Sequence, residues 1–130
     1  MIQEMLKTHP QPMTDTQVLA ECVDACFECA ATCTSCADAC LAEMVADLRA
    51  CIRTDLDCAD VCNATGRILA RQTEPDTTLL RAQLEACASA CGVCASSCEQ
   101  HKDMHEHCRV CAEVCRRCEE SCRDLLAALS

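Results

Sequence analysis

The chain has 130 residues, eighteen of them cysteine, and a formal net charge of −10 from 11 basic and 21 acidic side chains. That length suits one domain around a single core, and the acidic balance argues against nucleic-acid binding, which needs a basic patch. Tryptophan and tyrosine are absent and phenylalanine occurs once, so cysteine and small aliphatic side chains must replace the aromatics that usually dominate a core.

The leader, residues 1–13, places Ile2, Met5 and Leu6 at helical spacing before Pro10 and Pro12. It is expected to make one or two helical turns that pack on the body or on a neighbouring subunit. Thr14 or Asp15 then offers an N-cap. From Val18 and Leu19 a stripe runs through Cys22, Cys26, Cys29, Cys33, Cys36 and Cys40 to Met44, at alternating steps of four and three. Residues spaced in this way share one face of an α-helix, whereas a strand would scatter them over two. The spacing predicts a first long helix over 15–44 and a second over 47–71, with Cys51, Cys58, Cys62 and Leu69 inward.

Thr73-Glu74-Pro75-Asp76-Thr77 is the clearest break in the chain. A third helix is expected over 77–100, led by Leu80 and Leu84 into Cys87, Cys91, Cys94 and Cys98. The polar run Gln100-His101-Lys102-Asp103 suggests a reversal before a fourth helix over 103–128, which carries Cys108, Cys111, Cys115, Cys118 and Cys122. Periodicity alone does not place the first and third turns, because the thiol phase continues through both. Four rods of similar length with short links imply an all-α, antiparallel up-down-up-down four-helix bundle with a cysteine-lined core. Two long helices forming a hairpin that pairs with a second copy is the alternative. On the last segment Arg116, Arg117 and Arg123 alternate with Glu113, Glu119 and Glu120, the pattern of a solvated helix face.

Cysteine this abundant is ordinarily read as a disulfide scaffold. The N-terminus has an acidic residue at position four and no signal-peptide-like apolar run, so the cytoplasm, where thiols stay reduced, is the expected compartment. No apolar run approaches the roughly 18 residues of a membrane span. Neighbours at i+3 and i+4 on a helix also hold their Cβ atoms about 5–6 Å apart, too far for an unstrained disulfide.

The thiols instead fall into C-x-x-x-C pairs: Cys22 with Cys26, Cys29 with Cys33, Cys36 with Cys40, Cys58 with Cys62, Cys87 with Cys91, Cys94 with Cys98, Cys111 with Cys115, and Cys118 with Cys122. Soft thiolates select Cu(I), Zn(II) or iron–sulfur clusters. Structural zinc almost always takes four ligands, so a supply of ready-made pairs favours Cu(I), with zinc or general soft-metal sequestration as the alternative. No lysine or arginine lies on the stripes, and buried thiolates need neutralising. One Cu(I) per cysteine would leave the core neutral, which implies storage of many ions and no catalysis. An enzyme is not expected, since no nucleophile, base and orienting group stand together outside the stripe.

In an up-down-up-down bundle the first and third turns share one end, which gathers Met44, His101, Met104, His105 and His107 beside Cys108 as a candidate intake site. Imidazole and thioether are both copper ligands. On these pairs and this His/Met cluster, residues 15–128 resemble the bacterial copper storage proteins, and the lack of an export signal is similar to their cytosolic branch. The resemblance implies a ligand role for all eighteen cysteines, a mouth role for His101, His105 and His107, copper donor or acceptor proteins as partners, and a homo-oligomer, a tetramer. The departure is in the second helix, where Cys51 has no C-x-x-x-C partner and position 55 is Asp.

Overall fold

The computed structural model describes residues 1–13 and 15–129; the alternative cap Thr14 and the terminal Ser130 lie outside the described residues. The described residues form α1 (Ile2–Lys7), α2 (Thr16–Glu43), α3 (Arg49–Leu69), α4 (Thr77–Glu99) and α5 (Glu106–Ala128), with a 3-10 turn at Ala46–Leu48. Both α2 and α4 pack on α3 and α5. The four long helices therefore close a square, each antiparallel to its neighbour in the chain, and the small α1 docks against α2. This is the up-down-up-down bundle, and the hairpin of two long helices is excluded by the breaks after Glu43 and Glu99.

Local chemistry sets the helix starts. Asp15 accepts a hydrogen bond from the Val18 amide at 3.2 Å and Asp76 from the Leu79 amide at 2.9 Å, each satisfying a first-turn donor that has no partner within its helix. The first link contains neither Gly nor Pro. It is made by Met44, which ends α2 in the left-handed conformation at φ 56°, ψ 36°, a strained choice for a residue with a Cβ. Leu48 compensates by burying completely against the bundle. In the third link His101 and Met104 make turn hydrogen bonds, and α5 begins at Glu106 rather than near Asp103, with His105 in extended conformation as its N-cap.

The two ends of the bundle differ. At the far end Leu6, Leu19, Leu69, Leu80, Leu84 and Leu125 are all buried, forming an apolar plug. Gln72 ties the leader over it, donating to the Leu6 carbonyl at 2.9 Å and accepting from the Met13 amide at 2.7 Å. The opposite end, where the first and third links meet, carries His101, His105 and His107. Between the ends, surface ion pairs lace the helices together, among them Arg116 with Glu99 at 2.8 Å and Arg117 with Glu28 at 3.1 Å. Exposed pairs of this kind contribute at most about 1 kcal/mol each.

Close approach of α2 and α3 depends on Gly66, since a Cβ there would stand 2.9 Å from Cζ of Phe27, the lone aromatic ring. Replacing Gly66 by Ala improves helix propensity by about 1 kcal/mol but overpacks this contact at a cost of about 1–3 kcal/mol. The expected outcome is a lower urea midpoint for metal-free Gly66→Ala; a raised midpoint would mean that the ring moves aside freely.

Candidate functional site: a buried column of thiols

All eighteen cysteines are buried as free thiols. The i, i+3, i+4 spacing turns each stripe to the bundle axis, and stripes from four helices interleave along it. Next to the leucine plug, Cys22 lies 3.8 Å from Cys122. Cys26 then meets Cys118 at 3.9 Å and Cys87 at 4.0 Å. Cys62 follows, 3.7 Å from Cys87, 3.5 Å from Cys91 and 3.7 Å from Cys58. Midway along the bundle Cys29 touches Cys58, Cys33 and Cys115 at 3.8–3.9 Å. Cys33 continues to Cys115 at 3.5 Å, Cys111 at 3.7 Å and Cys94 at 3.9 Å.

Four-thiol groups recur along this column, their sulfurs all within 4.8 Å of one another: Cys26, Cys87, Cys118 and Cys122; Cys29, Cys62, Cys91 and Cys118; Cys29, Cys33, Cys58 and Cys115; and Cys33, Cys94, Cys111 and Cys115. Successive groups share members. Cys118, Cys29, Cys33 and Cys115 each belong to two, so the sites form a chain with common corners.

Asp55 interrupts the run of sulfur. Its position, one helical turn after Cys51 and just before Cys58, holds the thiol phase, so the carboxyl enters the column and is fully buried. Oδ1 accepts from the thiols of Cys94 at 3.0 Å, Cys111 at 3.3 Å and Cys98 at 3.6 Å, while Oδ2 has no partner among the described residues. Burial, with the Cys94 hydrogen bond and nearby thiols behind it, pushes its pKa up to about 12. The only other buried polar residues described are Thr65 and Gln72, and no lysine or arginine is buried among the described residues. Burial likewise raises Cys40, and it pushes Cys108 up to about 12. Hydrogen bonds between neighbouring thiols pull in the opposite direction at some positions, that from Cys122 lowering Cys22 to about 5 and Cys118 to about 7. Because unpaired thiolates at this depth are costly, neutral thiols and a neutral carboxyl are the expected filling of the metal-free interior.

Beyond Asp55, Cys51 lies 3.4 Å from Cys98, and the last group is mixed: Cys36, Cys40, Cys108 and His107. His107 Nδ1 stands 3.5 Å from Cys36, 3.6 Å from Cys108 and 4.0 Å from Cys40. Burial works against the imidazolium, but hydrogen bonds to Cys36 and Glu43 outweigh it, and the His107 pKa is raised.

The other residues expected at the mouth are placed differently from one another. His105 stacks on His107 with ring centroids 5.5 Å apart and contacts Glu43, although as an N-cap it lies off the helical stripe. His101 is half-buried, with Nδ1 lacking a partner among the described residues. Met44 is 91% and Met104 68% exposed, so neither continues the thiol column; Met44 loses its phase because the helix stops one residue before it. Two residues were not singled out as site residues from the sequence. Asp55 was visible only as a gap in the cysteine pattern, and Glu43 not at all.

These features define a helical bundle built around a continuous column of free thiols, plugged at one end and lined with histidines at the other. The profile of the copper storage protein family matches residues 15–127, and the chain belongs to that family. Among solved structures, the copper storage protein Ccsp from Streptomyces lividans, loaded with 10 copper equivalents, is 52% identical, with a TM-score of 0.95 over 98% of each chain. The cytosolic copper storage protein from the same organism with five coppers is 56% identical, with a TM-score of 0.84, covering 85% of this chain and 93% of that one. An uncharacterised cysteine-rich protein of Bacillus subtilis (strain 168), YhjQ, is 36% identical over 77 residues, 55% of this chain and 69% of its own length.

The buried carboxyl gives the metal-free protein a distinctive pH dependence. Burial pushes the Asp55 pKa up to about 12 from a reference value of 3.8, which keeps the carboxyl protonated in the fold across the neutral range. Above that reference the unfolded chain releases a proton that the native state retains, so stability falls as pH rises. Asp55→Asn removes this term. Between pH 4.5 and 7.5 the metal-free variant should therefore gain on the parent as pH increases, by up to about 1.4 kcal/mol per unit, in urea titrations. A gap independent of pH would mean that Asp55 is ionised in the native protein.

Proposed function

We propose that this protein stores and buffers Cu(I) in its thiol column, at a loading on the order of one ion per cysteine. The observation that carries this reading is the sharing of Cys29, Cys33, Cys115 and Cys118 between adjacent four-thiol groups. A sulfur common to two groups is placed to bridge two ions, the arrangement of a polynuclear thiolate cluster rather than of separate closed tetrahedral sites. Each incoming Cu(I) forms a Cu–S bond as the S–H bond breaks, and the proton leaves to solvent. A monovalent ion per thiolate keeps the interior uncharged, whereas a divalent ion per thiolate would leave uncompensated positive charge in a low-dielectric core.

All eighteen cysteines serve as ligands, His107 completes the last group through Nδ1, and Asp55 offers a carboxyl oxygen where a thiol is missing. The copper loading of the Streptomyces lividans relatives supports this assignment. The role is storage, with no catalytic step, and it belongs in the cytoplasm, in keeping with the cytosolic relative and with the absence of any described helix long and apolar enough to cross a membrane. Copper donor and acceptor proteins are the partners this role calls for, and a homo-tetramer is part of the same proposal, on the resemblance to the family.

Anaerobic titration with Cu(I) against a chromophoric chelator should saturate near the cysteine count; saturation at one or two ions per chain would reject bulk storage, and displacement of bound Cu(I) by Zn(II) would favour general metal sequestration. The leucine plug leaves the histidine end as the access route. Replacing His101, His105 and His107 together should slow uptake in stopped-flow measurements while most of the capacity remains, and unchanged kinetics would place the intake elsewhere.

A further inference from the structure

Glu43 has no part in the thiol column, yet it occupies a defined place at the mouth. It is the last residue of α2, immediately before the left-handed turn at Met44, and that turn brings the third link back over it. A single carboxylate oxygen, Oε2, faces two imidazoles: His107 Nε2 at 3.0 Å and His105 Nδ1 at 2.5 Å. Glu43 is exposed to solvent, where a glutamate is a carboxylate at neutral pH. A carboxylate can only accept hydrogen bonds. Both nitrogens that face it therefore carry hydrogen.

The consequence differs between the two rings because they present opposite nitrogens. In the neutral ring His107 donates through Nε2, which leaves the lone pair on Nδ1, the atom facing Cys36, Cys40 and Cys108. His105 donates through Nδ1, which leaves its lone pair on Nε2. A free histidine side chain prefers the Nε2–H tautomer, so Glu43 reinforces the natural state of the inner ring and reverses that of the outer one. A carboxylate behind a metal-binding imidazole fixes the ring and makes it a better donor, typically a 10–100-fold effect on affinity.

We propose that Glu43 is the positioning residue of the mouth, holding His105 and His107 in opposite tautomers so that they offer Nε2 and then Nδ1 to a Cu(I) ion on its way to the first thiols. This rests on the copper-storage reading for the identity of the ion. The tautomer claim stands on the metal-free protein alone.

The test compares the full-length parent with Glu43→Ala and Glu43→Gln, all 15N-labelled, reduced and metal-free, using long-range proton–nitrogen correlation of the histidine rings at neutral pH. The parent should show Nδ1–H at His105 and Nε2–H at His107. In Glu43→Ala, His105 should revert to Nε2–H, and the first Cu(I) equivalents, measured against a chelator, should bind about 10-fold more weakly with total capacity unchanged. Glu43→Gln retains a carbonyl acceptor and should fall between the two. A purely structural contact would lower stability without moving the tautomer. Identical tautomers in parent and Glu43→Ala, or a changed tautomer with unchanged affinity for the first copper, would overturn the proposal. Failure of the parent to take up Cu(I) would count against storage, not against the tautomer assignment.

Discussion

Eighteen thiols in one buried interior, with no lysine or arginine buried beside them among the described residues, is the constraint from which the rest of this protein follows. Protonated, they are small hydrophobes that pack sulfur on sulfur and let four helices close. Deprotonated without a counterion, the same groups would charge a medium that cannot solvate them. The fold therefore tolerates two states of its core, one filled with protons and one with soft monovalent metal. Asp55 obeys the same rule, staying neutral by protonation where it stands among Cys94, Cys98 and Cys111.

A column of this kind needs one sealed end and one selective one. Leucines and the small α1, latched by Gln72, provide the first. The second is assembled from two links that are distant in sequence. Strain at Met44 and the extended conformation of His105 bring Glu43 and the imidazoles together beside Cys36, Cys40 and Cys108, so the irregular backbone is concentrated where ions would pass. Hard and soft chemistry meet there, nitrogen and carboxylate outside and sulfur within.

Much of this was legible in the sequence because helical periodicity is a strong signal when the marker residue is as rare as cysteine. The i, i+3, i+4 stripes predicted both the four rods and their buried face. The turns were less visible. Nothing between Leu41 and Ala50 breaks a helix by composition; the break comes from tertiary burial of Leu48, which outweighs the cost of a left-handed Met44. The same event removes Met44 from the stripe, which sequence phase had extended to it. Glu43 was hidden for a related reason: three residues beyond Cys40, it resembles any solvated glutamate until the third link is known to fold over it. Asp55 could be seen as a missing thiol, but its three sulfur partners come from α4 and α5 and have no trace in its own segment.

The central claim is that the column exchanges protons for monovalent metal and stays neutral throughout. It is tested most directly by counting protons released during anaerobic Cu(I) loading of the reduced protein in weakly buffered solution near pH 7. Replacement of S–H by S–Cu predicts close to one proton per copper, sustained until the thiols are filled. Release of few or no protons would mean that the buried cysteines were already thiolates, and a neutral, proton-filled core would then be contradicted.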